Sequence, residues 1–367
     1  MNERATAPAY HTTGAALNTE AGSLTDRDGC GTLKHCNETG FGLRGVVNGV
    51  RERFVIGVDL GGTNLRVAGV GARGEVADLR REQTLAREGP EPLIERIIAA
   101  VDRVSSGITA AGGSVLGVAL GVPGIIEHRT GTVVASPNLP GWRDVPLRDR
   151  VAAAVALPVL LENDANAAAF GEYWRGAGAR CSSLALLTLG TGVGGGLVLG
   201  GELWRGVDGM AGEIGHITVE PGGRTCRCGN AGCLEAYASA TGIVDSYRAF
   251  AGTDESVTAE DVQHRAHEGD ANARQAFREA GRALGLAFAA LVNLLNPECL
   301  VVGGGVLPAW DLFMPTAEQE MKRRAFTAPA ARVRLAPAAL GDLAGLTGAA
   351  GLLWRQLEPE ELVVLTC

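Results

Sequence analysis

The sequence predicts an α/β fold of two domains around one cleft, and three observations lead there. A glycine-tipped hairpin occurs twice, strands alternate with helices along most of the chain, and 367 residues are enough for two buried cores. The first hairpin is Phe54–Ala72, FVIGVDLGGTNLRVAGVGA, and the second is Ser183–Leu203, SLALLTLGTGVGGGLVLGGEL. Each is an apolar run, a Gly/Thr tip and a returning apolar run, the pattern of a β-hairpin. Glycines let backbone N–H groups crowd around a bound group, threonine adds a hydroxyl, and such a nest suits phosphate. Either turn alone also reads as an ordinary Gly-rich hairpin. The pair, with Asp59 just ahead of the first tip, points to a nucleotide triphosphate held between two related domains. A P-loop is excluded, because it needs a lysine directly after its glycines and the two lysines, Lys34 and Lys322, follow no glycine loop. Phosphate charge then falls to backbone amides, hydroxyls, arginine or a metal ion.

Residues 1–52 are rich in Gly, Thr, Asn and charge, with no sustained apolar period, and read as a disordered or loosely attached tail. Its Cys30, His35 and Cys36 lack a fourth ligand at a sensible spacing and read as incidental. Strands are predicted over 54–59, 65–70, 115–120 and 132–135, with a helix near 90–104 opened by Pro90 and Pro92. A strand over Pro158–Glu162 runs into Asn163-Asp164 and a helix to about Trp174, and the second hairpin follows over 183–200. Beyond a cysteine-rich segment the chain turns helical. Ala271–Leu295 carries apolar residues at Ala276, Phe277, Ala280, Leu284, Ala287, Phe288, Leu291 and Leu295, a helical period stopped by Asn296-Pro297. The strand Cys299–Val302 leads into Gly303-Gly304-Gly305, and a last helix over about 344–357 closes the fold. The expected division is a small α/β domain over 53–163, joined by that last helix, and a large α/β domain over 164–343.

Hydrophobic residues make up 46% and charged residues 20%, a globular balance, and the net charge of −8 argues against non-specific nucleic-acid binding. No basic-then-apolar signal segment opens the chain, and the apolar stretch Ala283–Leu295, interrupted by Asn293, is too short to span a bilayer. Eight cysteines without a secretory signal read as reduced thiols or metal ligands, so the expected compartment is the cytoplasm.

Asp164 stands where an apolar strand passes into a helix, and the positive helix end favours an ionised carboxylate there. Such a group at a cleft mouth can take the proton of a hydroxyl attacking a γ-phosphate. Asn163-Asp164 also reads as a plain helix cap. Cys226, Cys228 and Cys233 supply three thiolates in eight residues, with Gly229 and Gly232 to let the chain fold back. His216 completes a Cys₃His set, which suits a closed, structural zinc site; buried free thiols are the alternative. Glu213, His216 and Glu235 flank this segment and suit a ligand rich in hydroxyls, or are surface glutamates beside a metal-bound histidine. Gly121-Val-Pro-Gly124 and Asn138-Leu-Pro-Gly-Trp142 are turn-rich loops after strands, and Gly303–Gly305 would let a flat base approach the backbone.

Together these residues resemble the ROK family (repressors, open reading frames and sugar kinases) of the hexokinase–actin-like ATPase superfamily, over about Phe54 to Leu353. Asp59–Asn64 is similar to the family's first phosphate motif, Leu189–Gly196 to its second, Glu162–Ala165 to its catalytic segment, and Asn296–Gly305 to its adenosine segment. Gly212–Glu235, with GEIGH and CRCGNAGCLE, resembles the family signature. The resemblance implies a two-domain actin-like ATPase (ribonuclease H-like) fold with an interdomain cleft. It implies Asp164 as the base, and Asn138, Asn163, Asp164, Glu213, His216 and Glu235 as hexose contacts. His216 would offer one ring nitrogen to zinc and the other to the sugar. Asp59 would help hold the Mg²⁺ of MgATP. Gly61, Gly62, Thr63, Asn64, Thr191 and Gly192 would bind its phosphates, and Gly303 and Gly304 its adenosine. The implied reaction is ATP-dependent phosphorylation of a hexose, glucose first, with N-acetylhexosamines or fructose as alternatives. A homo-oligomer, a dimer by family habit, is implied, with no nucleic-acid or membrane partner. The rival reading is a sugar-sensing transcriptional repressor. Such members carry an N-terminal helix-turn-helix domain, and residues 1–52 show no amphipathic helix pair with a basic recognition face.

Overall fold

The structure, a computed structural model, describes residues 46–47 and 50–357. Up to residue 45 the expected tail, with Cys30, His35 and Cys36, lies outside the described residues. At its end β1 (Val46–Val47) pairs antiparallel with β2 (Val50–Arg51).

The first large sheet opens with a meander of β3 (Arg53–Leu60), β4 (Asn64–Gly71) and β5 (Val76–Gln83). Helix α1 (Pro90–Ala110) crosses back to β6 (Ser114–Val122), which lies parallel to β3. A separate small sheet follows, of β7 (Ile125–Glu127), β8 (Thr132–Ala135) and β9 (Arg143–Val145). Helix α2 (Leu147–Val155) then leads to β10 (Val159–Asn163), parallel to β6. Helix α3 (Asp164–Arg175) carries the chain to the second large sheet.

That sheet repeats the plan. A meander of β11 (Leu184–Leu189), β12 (Val193–Leu199) and β13 (Glu202–Leu203) comes first. Helices α4 (Glu235–Ala238), α5 (Ala240–Ala251), α6 (Ala259–Glu268) and α7 (Ala271–Leu295) precede β14 (Cys299–Gly303), parallel to β11. Helices α8 (Trp310–Arg324) and α9 (Thr327–Arg332) precede β15 (Arg334–Pro337), parallel to β14, and α10 (Ala344–Leu357) ends the described chain. The orders are β10-β6-β3-β4-β5 and β13-β12-β11-β14-β15, one strand order listed from opposite edges.

Alternation along the central strands divides the core. Phe54, Ile56, Val58 and Leu60 of β3 face α1, whereas Val55 faces the other way. Ala185, Leu187 and Leu189 of β11 join α5, α7 and α8, whereas Leu184 and Leu186 join the layer containing Val55. That shared layer holds α3 and α10, so Phe170, Trp174, Leu346 and Trp354 pack against strands of both sheets. The two helices meet backbone to backbone: a Cβ at Gly348 would stand 1.7 Å from the Ala167 oxygen.

The segments absent from the sequence expectations are mostly sheet edges. Strand β5 reads VADLRREQ and β15 ends in Pro337, so neither carries the apolar alternation that marks a central strand. No helix among the described residues is long and apolar enough to cross a membrane.

Candidate active site

The carboxyl ends of the parallel strands converge on one edge, where open α/β sheets bind ligands. Register places Asp59 of β3 and Glu162 of β10 on either side of Gly121 in β6. At the β10–α3 junction the helix cap is Asn163: its Oδ1 accepts from the Ala165 and Asn166 amides at 2.9 and 3.1 Å. Its Nδ2 donates to the Gly124 carbonyl at 3.1 Å, which leaves one N–H for a ligand. Asp164 therefore occupies the first turn rather than the cap, and its Oδ1 accepts from the Ala165 amide at 2.9 Å. A Cβ at Gly121 would lie 3.7 Å from the Asp164 Cα, and one at Gly194 of β12 would lie 3.3 Å from the Ala165 Cβ. The start of α3 thus touches a strand of each sheet.

Burial pushes the Asp164 carboxyl up to about 6, and the charge of Asp59 adds to it; the Ala165 amide opposes and Glu213 contributes less. The expected pull of the helix end toward the ionised form is present but does not set the net result. The helix N-terminus does lower the value, but desolvation and a like charge outweigh it.

The first tip, Gly61-Gly62-Thr63, is held from beneath by buried Thr84, whose hydroxyl donates to the Gly61 carbonyl at 2.7 Å and whose amide donates to the Thr63 carbonyl at 2.8 Å. Asn64 closes the turn by accepting from the Gly61 amide at 2.8 Å. Asn138 stands beside this tip: a Cβ at Gly62 would be 3.5 Å from its carbonyl oxygen. Asp59 pairs with Arg66 Nη1 at 3.0 Å. Burial pushes the Asp59 carboxyl up and Arg66 pulls it back. Sequence reading missed Arg66, although hairpin register sets it directly opposite Asp59. Its Nε also reaches Asp342 at 3.3 Å.

At the second tip the Gly190 amide donates to the Gly192 carbonyl at 2.9 Å, and the Thr241 hydroxyl donates to the Thr191 carbonyl at 3.1 Å. Glu235 opens α4 directly behind it, and its Oε2 accepts from the Val193 amide at 2.9 Å. Gly304, at φ +93°, comes so close that a Cβ would stand 2.3 Å from the Leu189 oxygen, while Gly305 faces open space. The Gly303–Gly305 segment therefore borders the second tip.

His216, Cys226, Cys228 and Cys233 place one ligand atom each within 4.8 Å of one another. His216 Nδ1 lies 3.7 Å from Cys226 Sγ, and the Cys228 and Cys233 sulfurs are 3.7 Å apart. A tetrahedral ion with ~2.3 Å bonds to sulfur needs edges of about 3.8 Å, so the donor set fits zinc. The glycines singled out for the fold-back do turn left-handed, Gly229 at φ +93° and Gly232 at φ +78°. Arg224 pins the loop to the helices behind it, donating to Glu279 at 2.6 Å and to the Ser246 hydroxyl at 2.7 Å. On the far side of the imidazole, Nε2 lies 4.0 Å from a Glu213 oxygen, so one histidine faces both the thiolates and the acidic side of the site.

The ROK family profile matches residues 55–356. The chain is 41% identical over 318 residues to a glucokinase of Halalkalibacterium halodurans, spanning 83% of this chain and 96% of that one. A ROK family glucokinase from Streptomyces griseus, solved in complex with glucose and AMPPNP, aligns with a TM-score of 0.68 and 36% identity, over 82% of this chain and 98% of that one. The xylose repressor of Caldicellulosiruptor bescii is 33% identical over 306 residues, covering 80% of this chain and 76% of the repressor. The chain belongs to the ROK family, and its fold is the α/β actin-like ATPase fold expected from the sequence.

Proposed function

We propose that this chain is an ATP-dependent sugar kinase that converts glucose to glucose 6-phosphate, with Asp164 as base. One observation carries the reading. A carboxyl near pH 6 in its titration sits at the junction of both sheets, beside Asp59 and flanked by two glycine-tipped hairpins. In the reaction, the ionised Asp164 accepts the proton of the sugar hydroxyl as that oxygen attacks the γ-phosphorus. The bond from the γ-phosphorus to the bridging oxygen breaks and ADP leaves. Positioning and charge stabilisation carry most of such a transfer. A carboxylate that titrates near 6 is ionised at neutral pH yet basic enough to share a proton.

Gly61, Gly62, Thr63, Asn64, Thr191 and Gly192 would hold the phosphates, with Gly303 and Gly304 against the adenosine. Asp59 would hold the Mg²⁺ that accompanies ATP, a cation that offsets phosphate charge. His216, Cys226, Cys228 and Cys233 would hold a structural Zn²⁺, a closed site that orders the loop between Glu213 and Glu235. Asn138, Asn163, Glu213, His216 and Glu235 would read the hydroxyls. We read two domains, 53–163 with 344–357 and 164–343, which close on the sugar and exclude water. On this reading the enzyme would work in the cytoplasm, where ATP is supplied and thiols stay reduced, and a dimer is the expected assembly.

Coupled detection of sugar 6-phosphate tests the reading, with glucose, mannose, N-acetylmannosamine, N-acetylglucosamine and fructose as a panel. Phosphate transfer to none of them sinks it. Preference for an N-acetylhexosamine or fructose would keep the kinase and change the substrate. Similarity to a xylose repressor supports a second reading, sugar-dependent DNA binding, which a gel shift on sugar-operon DNA tests.

A further inference from the structure

Glu162 is a carboxylate with no exposed surface, and sequence reading gave it no role of its own. Its Oε1 accepts from the Asn163 amide at 3.0 Å and from Asn166 Nδ2 at 3.3 Å, so that oxygen is tied to the junction that carries Asp164. Its Oε2 accepts from Arg205 Nε at 2.7 Å. Arg205 opens the loop that follows the other sheet's edge strand, two residues beyond the end of β13. The loop that it opens is closed at its base, because the Arg205 carbonyl accepts from the Ala211 amide at 3.0 Å. The next residues are Gly212, whose carbonyl oxygen would stand 2.5 Å from a Cβ at Gly195 of β12, and Glu213. His128 Nε2 is 3.6 Å from Glu162 Oε1, beyond hydrogen-bonding reach, so it does not replace the guanidinium.

We propose that Arg205, through its ion pair with Glu162, is a positioning residue that holds the hexose-facing segment from Gly212 to His216 in register with Asp164. The inference rests on the hexose and base assignments proposed above. One rigid carboxylate has an oxygen on each part of the site: one fixes the base, the other fixes the loop that delivers Glu213. Stability does not explain the pair, since a buried ion pair is often no more stabilising than an apolar pair of similar volume. Geometry does, because a displacement on the order of 1 Å between reacting groups can reduce rate by about a hundredfold.

The test compares Arg205→Met, Arg205→Lys and the double variant Glu162→Gln/Arg205→Met with wild type. Arg205→Met should raise KM for glucose by about tenfold or more and lower kcat, with KM for ATP changed by less than about twofold. It should also lower Tm, since it leaves a buried charge unpaired. The double variant removes that charge and should bring Tm back to within about 2 °C of wild type, yet keep the raised glucose KM. Arg205→Lys should restore part of the glucose affinity. If Arg205→Met does not fold, the double variant decides. A normal glucose KM in either variant, or recovery of KM together with Tm, overturns the proposal while leaving the kinase reading intact. Wild-type protein inactive on every sugar of the panel overturns that reading and this one together.

Discussion

Replacing Asp164 with asparagine is expected to cut turnover by orders of magnitude while making the protein more stable. The carboxyl is raised from 3.8 to about 6. That difference, at 1.36 kcal/mol for each pH unit, is about 3 kcal/mol by which the ionised form weakens the folded state at neutral pH. Asparagine is neutral, and its Oδ1 can still accept from the Ala165 amide as Asp164 does at 2.9 Å. The helix end's attraction for the carboxylate is already contained in that net shift, so the gain is about 3 kcal/mol, or roughly 4 °C in Tm for a chain of this size. The sign depends on pH. A raised carboxyl contributes stability that is fully present below 3.8 and lost as pH rises through about 6, so the advantage of asparagine should be greatest at pH 7–8 and vanish near pH 4. Turnover should fall by about 10²–10⁴, the usual share of a general base, with glucose binding retained. Scanning calorimetry at three pH values, calorimetric glucose titration and the coupled assay measure all three. A lowered Tm at pH 7.5, a shift that ignores pH, or near-normal turnover would refute the reasoning.

The wild-type kcat/KM for glucose should fall tenfold per pH unit below about 6, as Asp164 becomes protonated; a flat profile down to pH 5 contradicts the assigned base. Chelation, or Cys228→Ser, should reduce bound zinc measured by mass spectrometry and weaken glucose affinity more than ATP affinity, because His216 stands between the thiolates and Glu213. Far-UV circular dichroism should change little on metal loss, since Arg224 holds the loop to α7 independently. Gly348→Ala should destabilise by about 3 kcal/mol or more, as its Cβ would stand 1.7 Å from a backbone oxygen, and a Tm near wild type would show that α3 and α10 can separate. Gly305→Ala meets open space and should keep its Tm while raising KM for ATP; an unchanged KM would move the adenosine elsewhere.

Patterns that lie within one stretch of chain were legible from the amino-acid sequence. Apolar spacing marked α7 over Ala271–Leu295, the same bounds found in the structure, because helix period and the Asn296-Pro297 stop are local features. The two hairpins were legible for the same reason, and so was the Cys226–Cys233 loop, whose donors are near neighbours in sequence. Strands β5 and β15 were not, since an edge strand is made by the neighbour it pairs with rather than by its own alternation. Other features came from residues remote in sequence. Arg66 meets Asp342, Glu162 meets Arg205, and Glu235 turns back onto the second hairpin. The titration of Asp164 is of this kind: the residue type and the helix start pointed one way, and burial beside Asp59 decided the other. Short-range periodicity and turn chemistry are written in consecutive residues, whereas desolvation and charge pairing depend on which distant segments the folded chain brings within a few ångströms.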